Sequence, residues 1–278
     1  MALVMTGMVA CKKSGDGTGT TNLTAEDILN VAYGSDPLQK MDIYLPAART
    51  KTSTKVLILL HGGAWMSGDK ADMASAVAAF KTLLPDYAIF NLNYRLATTS
   101  GNLWPTQLND LNTAFDFIAS HADHYTYNKN LIAMGGASAG AHLSLLKAYG
   151  NNNGSIKAAV DLFGPTDMKD LYNFSNSSTQ LLMGFFMSGT PTSNAAAYTA
   201  ASPLFLVSNT AVPTIILHGT ADNVVPIHQS DSLSNRLMNG GVASAYHKYP
   251  GEIHGVWSAA NSADAFAKVA AFLTLHVK

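Results

Sequence analysis

The stretch "LIAMGGASAGAHLSLL", residues 131–146, places a serine among very small residues between two apolar segments. Ser138 lies in the pattern G-x-S-x-G, which Gly136 and Gly140 complete. In a nucleophile elbow a serine occupies a strained turn between a strand and a helix, where larger flanking residues would clash with neighbouring backbone. Small residues are also common in tight turns that carry no chemistry, so the flanking segments decide between the two interpretations.

Both flanks have the character that an elbow requires. The apolar "LIAM" (131–134) predicts a short buried strand. The segment "AGAHLSLLKAYG" (139–150) predicts a helix that ends at Gly150. This strand–turn–helix setting favours Ser138 as a candidate nucleophile.

Strand-like and helix-like segments alternate along the rest of the chain. The run "KVLILL" (55–60) is typical of a strand buried on both faces. The alternation predicts an α/β fold with a mostly parallel central sheet and helices on both faces. Residues 166–203 break the alternation and are interpreted as a small cap-like insertion over the carboxyl edge of the sheet. Further strands are predicted at 28–34, 39–46, 87–96, 156–165, 214–219 and 244–250, and further helices at 69–84, 106–122, 231–241 and 263–277.

Length and charge narrow the class of protein. The chain has 278 residues, and single α/β domains commonly reach ~250, so residues 23–278 are interpreted as one domain. The net charge of −1 and the lack of a basic cluster argue against a nucleic-acid partner. Charged residues make up 13% of the chain, against a usual ~25%, and this composition suits an exported protein.

The N-terminus resembles the end of a bacterial lipoprotein signal. The apolar "ALVMTGMVAC" (2–11) ends at Cys11, and the polar "KKSGDGTGTTN" (12–22) follows. In such signals the chain is cleaved before the cysteine, which becomes the lipidated first residue. This sequence departs from the usual pattern at two points: Met8 stands where leucine is usual, and no basic residues precede the apolar run. We therefore expect residues 1–22 to be a signal and flexible tether. The protein would then be periplasmic or surface-bound, touching a membrane only through this lipid. A buried cysteine is the alternative.

A serine nucleophile requires a base and a carboxylate that orients the base. In the elbow arrangement both follow the serine in chain order, in loops after later strands. Asp222 follows an apolar strand in "ILHGTADNVVP" (216–226), and His254 lies in the loop "YPGEIHGVW" (249–257). The alternative acid is Asp231, but it lies near the start of a predicted helix, where a negative charge is ordinary.

The segment "HGGAW" (61–65) directly follows a predicted core strand. Consecutive glycines allow backbone N–H groups to approach a developing negative charge. The oxyanion-binding amides are therefore assigned to Gly62 and Gly63, with Ala64 as a further candidate, together with the residue after the nucleophile, Ala139.

Other histidines and aromatic residues have supporting roles in this interpretation. His61 is expected to brace the glycine loop, and His218 is interpreted as a hydrogen-bonded histidine at a strand end. Trp65, Phe185 and Phe186 are candidates for contact with an acyl or aromatic group of the substrate. The simplest interpretation of the apolar residues in 181–187, Phe185 and Phe186 among them, is a helix face packed on the core.

These motifs together resemble the α/β-hydrolase superfamily, and within it the esterase branch. That branch contains hormone-sensitive-lipase-like esterases, bacterial feruloyl and acetylxylan esterases, and kynurenine formamidase. The resemblance covers roughly residues 38–275 and implies an α/β-hydrolase fold, a triad of Ser138, Asp222 and His254, and no metal or cofactor. Ala64 stands where lipase-like relatives often have a third glycine. The motifs are "DIYLP" (42–46), "HGGAWMSGDK" (61–70), "GASAGAHL" (136–143), "ASP" (201–203), "HGTADNVVP" (218–226) and "IHG" (253–255).

The sequence therefore predicts a serine carboxylester hydrolase that forms an acyl-enzyme. Its expected substrates are small-molecule or carbohydrate esters with short or compact acyl groups, such as acetyl or feruloyl groups. One alternative is an amide or peptide hydrolase, such as an arylformamidase. Another is a catalytically inactive α/β-hydrolase that serves as a binding module.

Overall fold

A computed structural model of the protein describes residues 23–150 and 152–278. The predicted signal, tether and lipidated Cys11 fall on residues 1–22 and lie outside this description. None of the helices within the described ranges is long and apolar enough to cross a membrane.

The described residues form an eight-stranded sheet in the order β1-β2-β4-β3-β5-β6-β7-β8. Strands β3 to β8 run parallel to one another, whereas β2 is antiparallel to both β1 and β4. This arrangement confirms the predicted α/β fold with a mostly parallel sheet. The strands are β1 (Glu26–Ala32), β2 (Lys40–Leu45), β3 (Lys55–Leu60), β4 (Tyr87–Leu92), β5 (Ile132–Ala137), β6 (Ile156–Leu162), β7 (Thr214–Gly219) and β8 (Ser244–Tyr249).

Helices cover both faces of the sheet. Their bounds are α1 (Ala74–Leu83), α2 (Thr106–Ser120), α3 (Ala122–Tyr125), α4 (Ala139–Gly150), α5 (Met168–Phe174), α6 (Ser177–Phe186), α7 (Ala195–Ala200), α8 (His228–Asn239) and α9 (Ala259–His276). Helices α1 and α9 pack on one face, and α2, α4 and α8 pack on the other. Strand β3 serves both sides, because Ile58 belongs to the core with α4 whereas Leu57 belongs to the core with α1. This double burial explains the uninterrupted apolar run of β3.

The predicted helix over 69–84 has two parts. A 3-10 turn spans Lys70–Met73, and α1 follows it. Asp69 accepts a hydrogen bond from the backbone N–H of Ala71, and Asp72 bonds back to the backbone N–H of Asp69. This reciprocal cap fixes where the helical segment starts.

The insertion at 166–203 contains helices α5, α6 and α7. The prediction that its apolar run packs as one face on the core is wrong for Leu181 and Leu182, whose exposed fractions are 76% and 53%. Met183 and Phe186 are buried, as predicted. Successive helical residues are turned by about 100° from one another, so a nearly continuous apolar run cannot all face the core.

The topology explains why distant parts of the chain converge. Parallel strands bring their carboxyl ends to the same edge of the sheet. The loops after β3, β5, β7 and β8 carry the segments singled out in the sequence: the glycine loop, Ser138, Asp222 and His254. The candidate site therefore lies at this edge.

Candidate active site

Ser138 occupies a sharp turn between β5 and α4. Its φ of +53° lies in the left-handed region, which non-glycine residues rarely adopt. A Cβ on Gly136 would lie 2.4 Å from the carbonyl oxygen of Leu60, and one on Gly140 would lie 2.2 Å from the same oxygen. Glycine is thus required on both sides of Ser138 because the turn presses against the end of β3.

A continuous series of hydrogen bonds joins Ser138, His254 and Asp222. The distance from Ser138 Oγ to His254 Nε2 is 2.9 Å, and that from His254 Nδ1 to Asp222 Oδ2 is 2.6 Å. An ionised carboxylate can only accept, so Nδ1 of His254 carries the proton and Nε2 is free to accept from the serine hydroxyl. This geometry suits transfer of a proton from Ser138 to His254.

The Asp222 carboxylate is held in its ionised form. Burial alone would raise its pKa, but hydrogen bonds from His218 and His254 outweigh burial and keep the pKa well below its usual range. The backbone N–H groups of Val224 and Val225 both donate to Oδ1 at 2.9 Å. The carboxylate can therefore orient His254 and stabilise its protonated form.

The alternative acid, Asp231, has another partner. Its Oδ1 lies 2.7 Å from Nζ of Lys248 on β8, and its side chain is partly exposed at the start of α8. The structure brings Asp222, and not Asp231, into hydrogen-bond contact with His254.

The glycine loop after β3 lies directly against the elbow. A Cβ on Gly62 would be 3.3 Å from Cβ of Ser138. Among residues 23–150 and 152–278, no acceptor bonds the backbone N–H of Gly62, Gly63 or Ala139. Gly63 has a φ of +107°, and a Cβ there would collide with the carbonyl oxygen of Ser67. Unbonded amides beside a nucleophile are the arrangement that stabilises an oxyanion. Ala64, with a φ of +51°, continues the turn.

Two buried side chains brace the glycine loop. The rings of His61 and Tyr94 stack with centroids 4.3 Å apart, and the Tyr94 hydroxyl donates to the carbonyl oxygen of His61 at 2.9 Å. His61 Nδ1 lies 2.6 Å from the carbonyl oxygen of Gly62. His61 therefore has the predicted bracing position, whereas Tyr94 was not identified from the sequence.

The aromatic residues near the elbow are packed together. Trp65 and Phe186 are buried, with rings stacked at 4.8 Å and an interplanar angle of 6°. Trp65 also donates from Nε1 to Nδ1 of His142, one helical turn after Ser138. Each of the two rings uses one face for the other, and their predicted contact with the substrate stays a prediction. Phe185 is half-buried, so its proposed substrate contact stays a prediction.

Trp104 belongs to the same cluster, but it lies in a loop before α2, where no periodic pattern of residues could have identified it. Its ring centroid is 6.0 Å from that of His142 and 6.3 Å from that of Phe186. It is half-buried, which makes it the more accessible tryptophan of the cluster.

Within the described ranges, no group of three or more histidine, cysteine or acidic side chains is arranged to hold a metal ion.

The model of the BD-FAE family matches residues 41–237. Esterase LipC of Mycobacterium tuberculosis is 28% identical over 239 residues, which cover 81% of this chain and 59% of LipC. The probable carboxylic ester hydrolase LipM of the same organism is 29% identical over 222 residues, covering 75% of this chain and 51% of LipM. The chain thus spans about half the length of the curated relatives it matches.

Solved structures with the same fold include esterases. A truncated carbohydrate esterase from gut microbiota superposes with a TM-score of 0.77 at 26% identity, covering 92% of this chain and 97% of that one. A bifunctional GH43-CE protein of Bacteroides eggerthii superposes with a TM-score of 0.75 at 25% identity, covering 89% of this chain and 38% of that one. The fold is therefore that of the α/β-hydrolase esterases.

Proposed function

Because the chain belongs to the BD-FAE family, we propose that it is a serine carboxylester hydrolase. The observation that carries this proposal is the series of hydrogen bonds from Ser138 through His254 to Asp222, beside amides that no described acceptor occupies. The names of its relatives LipC and LipM support the same reaction class.

In the proposed reaction Ser138 Oγ attacks the carbonyl carbon of the ester while its proton passes to His254 Nε2. The C–O double bond opens to an oxyanion, which accepts hydrogen bonds from the N–H groups of Gly62, Gly63 and Ala139. When the tetrahedral intermediate collapses, the bond to the alcohol breaks and His254 returns the proton to the leaving oxygen. This leaves an acyl-enzyme on Ser138.

Water completes the cycle by the same route in reverse. His254 takes a proton from a water molecule as the water oxygen attacks the acyl-enzyme. The second tetrahedral intermediate releases the carboxylic acid, and the proton returns to Ser138. Removal of one oxyanion donor typically costs ~10²–10³-fold in kcat. The close packing of Gly62 against Ser138 therefore matters to the proposed reaction, because it holds the Gly62 N–H beside the nucleophile.

The proposed substrates are esters of carbohydrates with acetyl or feruloyl groups. A carbohydrate esterase is among the similar structures, which supports the carbohydrate class. The buried ring of Phe186, in the insertion, stacks on Trp65 of the glycine loop, and this close contact beside the elbow supports a short or compact acyl group.

We expect the catalytic efficiency on nitrophenyl esters to peak between acetyl and butyryl and to fall sharply by decanoyl. Each methylene group left in water forgoes about 0.8 kcal/mol of burial, roughly a fourfold change in binding. The measurement is kcat/KM along the chain-length series below the micelle limit, with methyl ferulate and acetanilide included. A maximum at ten or more carbons would contradict the short-acyl proposal, and faster cleavage of the anilide would favour the amide-hydrolase alternative.

We further propose that Cys11 carries a lipid that holds the enzyme at a bacterial membrane surface. The apolar run that ends at this cysteine supports the proposal. In a bacterium that processes lipoproteins, the chain with its own N-terminus should fractionate with membranes, and Cys11→Ser should release it or block its processing. Mass spectrometry of the N-terminus provides the check. Soluble protein that retains residues 1–10 without a lipid would contradict it.

A further inference from the structure

A second histidine contacts the Asp222 carboxylate on the side away from the nucleophile. We infer that His218 is a positioning residue that acts on the reaction through Asp222. The inference rests on the proposed esterase function, since it assigns a role within the same site.

His218 lies at the end of β7 and is fully buried. Its Nε2 is 3.2 Å from Asp222 Oδ2 and 2.9 Å from the carbonyl oxygen of Val225, and its Nδ1 is 2.7 Å from Ser230 Oγ. A backbone carbonyl only accepts, so Nε2 carries a proton and donates toward both oxygens. In the neutral ring, Nδ1 then accepts from the Ser230 hydroxyl. The orientation of the ring is thus set from both ends.

Four hydrogen bonds hold the loop after β7, two at Val225 and two at Oδ2 of Asp222. The Val225 N–H donates to Asp222 Oδ1, while the Val225 carbonyl accepts from His218. Asp222 Oδ2 lies between two N–H donors, His218 on one side and His254 on the other. The carboxylate therefore cannot rotate away from His254 without losing its hydrogen bond from His218.

Other charged groups surround His218 but do not replace Asp222 as its partner. Asp161 on β6 faces the ring, and burial raises the pKa of Asp161 to about 7, which lowers the negative charge that it presents. Asp231 on α8 is close enough to interact electrostatically with His218, but it is paired with Lys248. Among the described carboxylates, Asp222 is the one in hydrogen-bond contact with His218.

Two amide substitutions separate the functions of the two ring nitrogens. In His218→Gln the side-chain amide reaches the position of Nε2 and can still donate to Asp222 and Val225. In His218→Asn the amide reaches only the position of Nδ1, near Ser230. We expect kcat to stay close to wild type in His218→Gln and to fall by about 10–100-fold in His218→Asn, the range for outer partners that orient metal-binding side chains. KM should change little in both, since the ring does not reach the substrate.

A control variant and a comparison in the Asp222→Asn variant make the test specific to the contact between His218 and Asp222. His247→Gln alters a histidine on the adjacent strand β8, where it pairs with Leu217 in the sheet, and it should leave kcat unchanged. Thermal unfolding is followed for all variants, and kcat is compared at a temperature below every Tm. In an Asp222→Asn background, His218→Asn should cause no further loss of kcat, because residues that act through one another are not additive.

Two results would overturn the inference while leaving the esterase proposal intact. One is an active wild type with equal kcat in His218→Asn and His218→Gln. The other is an equal loss from His218→Asn with and without Asp222, since such a loss would come from the fold rather than from the carboxylate. If the folded wild type hydrolyses no ester and does not react with a fluorophosphonate, the proposed function itself fails.

Discussion

Replacement of Ser138 by alanine is expected to lower kcat by roughly four to six orders of magnitude, as losses of a triad nucleophile do. No other hydroxyl is bonded to His254 among the described residues, so the variant has no group to accept the acyl chain. The small side chain fits the same turn, and the fold should be retained. The measurement is steady-state hydrolysis of nitrophenyl acetate, with circular dichroism as the check on folding.

Ser144 provides a matched control on the same helix. It is buried in α4, and its Oγ has no hydrogen-bond partner within the described ranges. Ser144→Ala removes a hydroxyl of the same kind and should retain hydrolysis near the wild-type rate. Folded Ser138→Ala with near wild-type turnover would end the proposal that Ser138 is the nucleophile.

Asp222→Asn should lower kcat by on the order of 10⁴-fold. The backbone N–H groups of Val224 and Val225 favour placing the amide oxygen at the Oδ1 position. The NH₂ group then occupies the Oδ2 position and faces His254 Nδ1. His254 is driven to carry its proton on Nε2, where it can no longer accept from Ser138. The kcat at neutral pH tests this reasoning.

Asp231→Asn is the matched control for the acid. Asp231 pairs with Lys248 on the surface, and exposed ion pairs contribute only about 0.2–1 kcal/mol. Its loss should leave kcat near wild type. A damaging Asp231→Asn combined with a mild Asp222→Asn would reverse the assignment of the acid.

The elbow could be predicted from the sequence because its causes are local. The requirement for Gly136 and Gly140 comes from a turn a few residues long. The secondary structure of the flanking apolar segments can be predicted from their own residue patterns. Asp222 and His254 could be selected because chain order and position after a strand restrict the choice. Parallel strands then bring these loops to one edge whatever their separation in sequence.

Other features depend on contacts between distant segments and could not be predicted in this way. The sequence marks Trp65 and Phe186 as aromatic, but only the packing of the insertion shows that they bury each other. The exposure of Leu181 follows from the direction in which α6 faces the core. The donation from His218 to Asp222 likewise depends on the path of the loop after β7.

The most direct test of the central claim is to locate the covalent bond formed with a fluorophosphonate. Trypsin should release Ser138 in the peptide 130–147, which also contains Ser144. We predict that wild-type protein gains one phosphonyl group per chain, that fragmentation places it on Ser138, and that Ser138→Ala gains none. Attachment to another residue, or undiminished ester hydrolysis by protein whose Ser138 is modified, would contradict the account.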